Sequence, residues 1–273
     1  MSRFAVLGDP IGHSKSPKMH AAAYAALGLS HSYEAIRATP AELGPLVQAL
    51  RRGEYDGFNV TVPHKQRILE HVDHVDPSAS RVLAANTLVR GADGRITAYN
   101  TDVPALAREL RLLAKERTDA EWRSSKALVL GSGGAARSAL AALGNELGVR
   151  TVIVRSRRPF DGADGKSVLA EPLARSPVDG EVLTVLQATS AGMTGAEPGD
   201  GVAAAVHWER LPANAVALDV VYAPPVTPFV ASAQGRGLRV TNGFGMLAMQ
   251  GALAFELWLG LPAPYEVMLG ALR

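Results

Sequence analysis

The stretch VLGSGGAA, Val129 to Ala136, decides the fold. The apolar run KALVLG leads into it and the helical pattern AARSALAALGNELG leads out of it. Gly131, Gly133 and Ala136 therefore take the spacing G-x-G-x-x-A at a strand-to-helix turn. Gly131 permits the tight turn, Gly133 lets a pyrophosphate approach the backbone, and Ala136 keeps helix and strand close. The amides opening the helix then face the phosphates. A glycine-rich turn without a ligand is the plain alternative, but the strand before and the helix after are what a dinucleotide fingerprint requires.

Downstream, the next strand ends in VIVRSRRP where an acidic residue commonly binds a ribose hydroxyl. Arg155, Ser156, Arg157 and Arg158 stand there instead. A carboxylate repels a 2′-phosphate and guanidinium groups bind it, so NADP is the expected cofactor. A solvated arginine cluster that binds nothing is the competing reading. The strands EVLTVLQAT, AVALDVVY and LRVT continue the series, while PFDGADGKSVLAEPLARSPVDG is rich in Gly, Pro and Asp, with helical character only in its middle. GMLAMQGALAFELWLG is a helix that is apolar nearly all round and so should be buried. PYEVMLGALR follows it.

Upstream, the strand RFAVLG, a helix over Pro17 to Leu27, the strand HSYEAIRA, the helix PAELGPLVQALRRG closed by Gly53, and the strand DGFNVTV alternate. Alternation of this kind implies a parallel, doubly wound sheet. NTLVRGADGRITAYN reads as a hairpin about a Gly-Ala-Asp-Gly turn and should supply an antiparallel edge. After Asn100 the pattern is helical, VPALARELRLLAKER, and then polar through TDAEWRSSK. The fold class expected is α/β with two domains: a mostly parallel substrate domain over residues 1–102, a Rossmann-type domain over 103–240, and C-terminal helices over 241–273 that return to the first domain.

Composition sets outer limits. The chain has 273 residues, 47% hydrophobic and 20% charged, so it suits a folded globular protein. A net charge of +2 with basic and acidic residues mixed gives no nucleic-acid stripe. With no cysteine, disulfides, thiolate metal sites and cysteine nucleophiles are excluded, and no metal site is expected. MSRFAVLGDP has too short an apolar run for a secretory signal, and no segment reaches about eighteen consecutive apolar residues, so a cytoplasmic protein without membrane association is expected.

Polar motifs stand where strands end: GHSKSP (Ser14, Ser16), NVTVPHK (Asn59, Thr61, Lys65), ANT (Asn86, Thr87) and NTD (Asn100, Thr101, Asp102). In a doubly wound sheet ligands lie beyond the carboxyl ends of the strands, so these groups should converge. Hydroxyls, amides and one cation suit a small polyhydroxylated carboxylic acid. Ser16 before Pro17 and Asp102 before Val103-Pro104 fit helix capping equally well. Pro63 is expected to open a helix, which puts Lys65 at its positive end, where capping would want an acid. A lysine beside an aspartate has a use at a hydride-transfer site: the ammonium stabilises developing negative charge on a ketone oxygen and supplies the proton. Gln250 is the strongly polar side chain in the apolar run Gly245 to Phe255, and a buried amide needs partners, from neighbouring backbone or from a ligand.

Taken in order, VLGDPIGHSKSPKMH, GFNVTVPHK, ANTL, YNTD, VLGSGGAA, ATSAGM, DVVYAPPVTPF and NGFGMLAMQGALAFELWLG resemble the shikimate dehydrogenase family over nearly the whole chain. The resemblance implies a two-domain oxidoreductase that reduces 3-dehydroshikimate to shikimate with NADPH, acting on a small molecule as a monomer or homodimer. Matched position by position, Lys65 and Asp102 resemble the catalytic pair. Ser14, Ser16, Thr61, Asn86, Tyr222 and Gln250 resemble substrate ligands. Gly131, Gly133, Gly134, Ala135, Arg155, Ser156, Arg157, Arg158, Thr189, Gly243 and Met246 fall in the cofactor region. Departures are Ala21, where the family commonly has Asn, LAANTL in place of GAVNTL, and Val154-Arg155-Ser156 in place of the NRT turn. Quinate or aminoshikimate dehydrogenase is the nearest alternative within the fold, and a non-catalytic nicotinamide-sensing module is the alternative from another class.

Overall fold

The chain divides into two units: unit 1 holds Met1–Ala105 with Leu247–Arg273, and unit 2 holds Leu106–Met246. The computed structural model describes residues 1–157 and 181–273, and the backbone of residues 168–172. In chain order the elements are β1 (Arg3–Gly8), α1 (Ser16–Ala26), β2 (Ser32–Arg37), α2 (Leu43–Arg51), β3 (Gly57–Val60), β4 (His74–Val75), α3 (Pro77–Ser80), β5 (Thr87–Arg90), β6 (Ile96–Tyr99), α4 (Asp102–Leu113), α5 (Asp119–Ser124), β7 (Lys126–Leu130), α6 (Gly134–Ala141), β8 (Thr151–Ser156), β9 (Val168–Pro172), β10 (Val182–Gln187), α7 (Asp200–Ala204), β11 (Val216–Asp219), α8 (Pro228–Gly235), β12 (Arg239–Thr241), α9 (Phe244–Leu259) and α10 (Tyr265–Leu272).

In unit 1 the strands lie in the order β2-β1-β3-β5-β6-β4. The pairs β1–β2 and β1–β3 are parallel, and β5 is antiparallel to both β3 and β6. Alternation along β1 sends Ala5 and Leu7 into the cluster of Val47, Leu50, Phe58 and Leu88, and turns Phe4 the other way, onto the Trp258 ring at 4.7 Å. Both faces of β1 are covered, which is why its sequence is nearly continuous apolar. The hairpin forms as expected but does not end the sheet, because β4 pairs parallel to β6 outside it. Two residues are too few to show a period.

Past β3 the structure departs from the expected helix. The Thr61 carbonyl accepts the His64 N–H at 2.9 Å and closes a turn around Pro63, and only a short 3-10 segment follows at Arg67–His71. Lys65 lies in that turn, held by the Ala85 N–H donating to its carbonyl at 2.8 Å, and not at a helix N-terminus. Proline suits either setting, so the residue type does not choose between them.

In unit 2 the strand order is β12-β11-β10-β7-β8-β9, every neighbouring pair parallel. This is a doubly wound sheet whose order reverses between β7 and β10. The middle of the Gly/Pro/Asp-rich segment, expected as helix, is β9, paired with β8 from Val152–Val168 to Ser156–Pro172. The open edge of β8 supplies ladder partners that a five-residue segment does not advertise by itself.

Candidate active site

The β5–β6 hairpin assembles the polar centre of unit 1. Thr87 pairs with Tyr99, and the Asn86 N–H donates to the Tyr99 carbonyl, so Asn86 lies beside the Asn100-Thr101-Asp102 turn. Lys65 Nζ reaches Asp102 Oδ2 at 2.6 Å, with 14% of the lysine side chain and 3% of the aspartate exposed. Asn86 Nδ2 donates to Asp102 Oδ1 at 2.8 Å. Both carboxylate oxygens are thereby fixed. Capping of α4 falls to Asn100, whose Oδ1 accepts the Asp102 and Val103 N–H groups, so the Asp102 carboxylate is left for Lys65 and Asn86.

Around this pair the amides form a continuous network. Asn86 Oδ1 accepts the Thr101 N–H at 2.8 Å, and the Thr101 hydroxyl reaches the Gln250 carbonyl in α9 at 3.1 Å. Gln250 Oε1 accepts from Asn86 Nδ2 at 3.3 Å while its Nε2 donates to the Leu247 carbonyl, so this amide finds the neighbouring backbone partner expected of it and a side-chain partner in Asn86. Asn59 Nδ2 donates to the Asn86 carbonyl and to Thr87 Oγ1, and Tyr33 Oη donates to Asn59 Oδ1 at 2.7 Å. Ser14 Oγ accepts the Ser16 N–H, and α1 starts at Ser16 without a side-chain cap. The hydroxyls of Ser16 and Thr61 make no hydrogen bond among the described residues.

Unit 2 carries the glycine turn. Gly131 has φ +124° and donates to the Arg155 carbonyl, and a Cβ on it would lie 2.9 Å from the Ala188 carbonyl oxygen. Gly133 caps α6 and faces open space, so a phosphate group can approach its backbone; Gly134 and Ala135 form the first turn behind it, and Ala136 is fully buried. Thr189 follows β10, its N–H bonded to Gln187 Oε1 and its Oγ1 accepting the Ala191 N–H. Tyr222 stacks on Phe244 at 5.8 Å, Gly243 lies so close to the Val220 carbonyl that no Cβ fits, and Met246 is buried. Burial pushes the Asp219 carboxyl, at the end of β11, up to about 6, against the hydrogen bonds it accepts from the Thr227 hydroxyl and the Val221 N–H.

A family model described as the shikimate dehydrogenase substrate binding domain matches residues 6–88, and one for the shikimate 5′-dehydrogenase C-terminal domain matches residues 243–273. The shikimate dehydrogenase (NADP(+)) of Citrifermentans bemidjiense is 40% identical over 98% of this chain and 93% of its own length. The chain belongs to the shikimate dehydrogenase family. Two solved shikimate 5-dehydrogenases share its architecture. The Thermus thermophilus enzyme in complex with NADP(H) and shikimate is 37% identical, covering 100% of this chain and 99% of its own, with a TM-score of 0.82. The Listeria monocytogenes enzyme in complex with shikimate and NAD is 28% identical, covering 100% and 96%, with a TM-score of 0.83.

Within the shikimate dehydrogenase framework the structure brings Lys65, Asp102, Asn86 and Gln250 into one hydrogen-bonded group in unit 1. The arginines at the end of β8 differ in their surroundings. Arg155 is fully buried, its Nη1 donating to the Ala205 carbonyl at 2.6 Å, whereas Arg157 is exposed and paired with Glu197. Arg158 lies outside the described residues, and Ser156 is half-buried. No local pattern in the sequence marks Glu197 as the partner of Arg157, and Asn59 and Thr101, which the sequence shows only as members of polar motifs, brace Asn86. No group of three or more potential metal ligands occurs among the described residues, and none of their helices is long and apolar enough to cross a membrane.

Proposed function

We propose that this chain is a shikimate dehydrogenase that reversibly reduces 3-dehydroshikimate to shikimate with NADPH. The observation that carries this is the part-buried Lys65–Asp102 pair, a cation held by a carboxylate whose second oxygen is itself hydrogen-bonded. The nicotinamide, when bound, supplies or accepts the hydride. Lys65, as the ammonium, donates its proton to the oxygen of the reduced carbonyl, and in the reverse direction the amine takes the alcohol proton. Asp102 holds the amine in place, and Asn86 fixes Asp102. The free hydroxyls of Ser16 and Thr61, with Ser14, Asn86, Gln250 and Tyr222, are assigned to the substrate's alcohols and carboxylate. Residues 1–102 form the substrate domain in this reading, 103–240 the NADP domain, and 241–273 the returning helices. Gly131, Gly133, Gly134, Ala135, Thr189, Gly243 and Met246 are assigned to the cofactor; the open face at Gly133 and the left-handed Gly131 support this.

A non-catalytic sensor has no use for a lysine and an aspartate held at 2.6 Å. We assign the enzyme to the cytoplasm as a monomer or homodimer, two states that size-exclusion chromatography distinguishes. The deciding assay follows reduced nicotinamide by absorbance with shikimate or quinate and NADP or NAD. Fastest turnover with shikimate and NADP is expected; inactivity with both acids sinks the proposal.

A further inference from the structure

The two described arginines at the end of β8 differ in what they can give up. Arg155 is fully buried, and its guanidinium donates to the Ala205 carbonyl just past the last residue of α7. Helix C-termini expose unpaired carbonyls with partial negative charge, so a cation there is both a hydrogen-bond donor and a dipole partner. Guanidinium stays charged at every working pH, and withdrawing it toward a ligand would leave the Ala205 carbonyl bare in a closed interior. Arg157 is under no such constraint. Its side chain is 68% exposed, and its Nη1 lies 2.8 Å from Glu197 Oε2, itself 62% exposed, on the loop after β10. Exposed pairs of this kind hold weakly and exchange readily.

We propose that Arg157, not Arg155, reads the 2′-phosphate of the cofactor in this chain, and that Glu197 competes with the phosphate for it, moderating the preference for NADP over NAD. The proposal rests on the dinucleotide reading of the glycine turn. A phosphate accepts two guanidinium N–H groups with more charge than a carboxylate does, so it displaces Glu197. The displaced carboxylate stays on the neighbouring loop and opposes the phosphate. With NAD the same carboxylate accepts from a ribose 2′-hydroxyl, the task usually given to an acidic residue at the end of the second strand, which β8 lacks.

Calorimetric titration of the full chain with 2′,5′-ADP and with 5′-AMP tests this without turnover. Arg157→Ala should weaken 2′,5′-ADP about tenfold or more, and leave 5′-AMP within about twofold. Glu197→Gln should tighten 2′,5′-ADP about two- to fivefold and fail to tighten 5′-AMP. Arg155→Lys should lower the melting temperature and spare the ratio of the two affinities. The NADP/NAD ratio of kcat/KM should move in step with the binding ratio. An unchanged affinity ratio in Arg157→Ala or Glu197→Gln overturns the proposal, as does a collapsed ratio in Arg155→Lys with normal melting. Failure of the unmodified protein to bind either nucleotide removes the dinucleotide reading, and this proposal with it.

Discussion

At position 65 the proposed chemistry depends on one amine, because no other cation is hydrogen-bonded to Asp102 among the described residues. General acid–base contributions of this kind are about 10²–10⁴ in rate, so Lys65→Ala should lower kcat by that order while KM for shikimate changes little. Steady-state kinetics over both substrates would show it. A large rise in KM with unchanged kcat would make Lys65 a binding group instead. His20 allows a second test at the same scale. It is fully buried, neither ring nitrogen has a hydrogen-bond partner among the described residues, and the ring stacks on Tyr33 at 4.2 Å. Burial lowers its pKa from 6.5 to about 3, so the folded state favours the neutral ring while the unfolded chain takes up a proton below the ordinary value. The resulting stability is fully present above pH 6.5 and is lost as pH falls toward 3. At pH 4 the loss is about 3 kcal/mol by order of magnitude. His20→Phe keeps a ring to stack and removes the titration, so its melting temperature should gain on the parent's as pH drops from 7 to 4.5. Parallel melting curves across that range would refute the assignment.

Elements meet tightly where Trp258 of α9 crosses the unit 1 sheet. Its ring stacks on Phe4 of β1, its Nε1 donates to the Leu88 carbonyl of β5 at 3.0 Å, and its indole fills the space a Cβ on Gly57 of β3 would need. Gly57→Ala therefore forces a whole ring aside and should cost about 1–3 kcal/mol in denaturant unfolding, with altered tryptophan fluorescence. Wild-type stability in that variant would mean α9 shifts freely over the sheet. Legibility in the sequence follows the same division between local and distant partners. The glycine turn, the hairpin and the strands β1, β7 and β8 show in the sequence because turn chemistry and apolar runs are local. The α5 helix was readable too, since Thr118 and Glu121 form a capping box, yet its polar surface hid it. The β9 strand was not readable, because it exists through the edge of β8. The turn at Pro63 shares its residue type with a helix start. Lys65 and Asp102 stand out in the sequence for their chemistry and the structure pairs them, although the helix-end argument for Lys65 fails. Burial of Arg155 depends on a carbonyl fifty positions away, which no window around the arginine run contains.

Across the whole chain, the last residues complete a unit begun by the first. Lys15 Nζ donates to the Leu272 carbonyl at 3.0 Å, and Met268 and Leu272 of α10 are fully buried. Lys15 sits between Ser14 and Ser16, so α10 braces the loop that carries both serines assigned to the substrate. Ending the chain after Pro264 removes that brace and the burial of two large apolar side chains. At about 1.5–3 kcal/mol for each, the loss takes a large share of the stability an ordinary domain possesses. The truncated protein should melt at lower temperature and show a raised KM for shikimate. Affinity for 2′,5′-ADP should stay within about twofold, because the glycine turn belongs to unit 2, which contains none of the deleted residues. Thermal denaturation, shikimate kinetics and nucleotide calorimetry on the same preparation separate these effects. Equal losses in shikimate and nucleotide affinity would show that α10 supports both units, and an unchanged KM would show that the serine loop holds its shape without it.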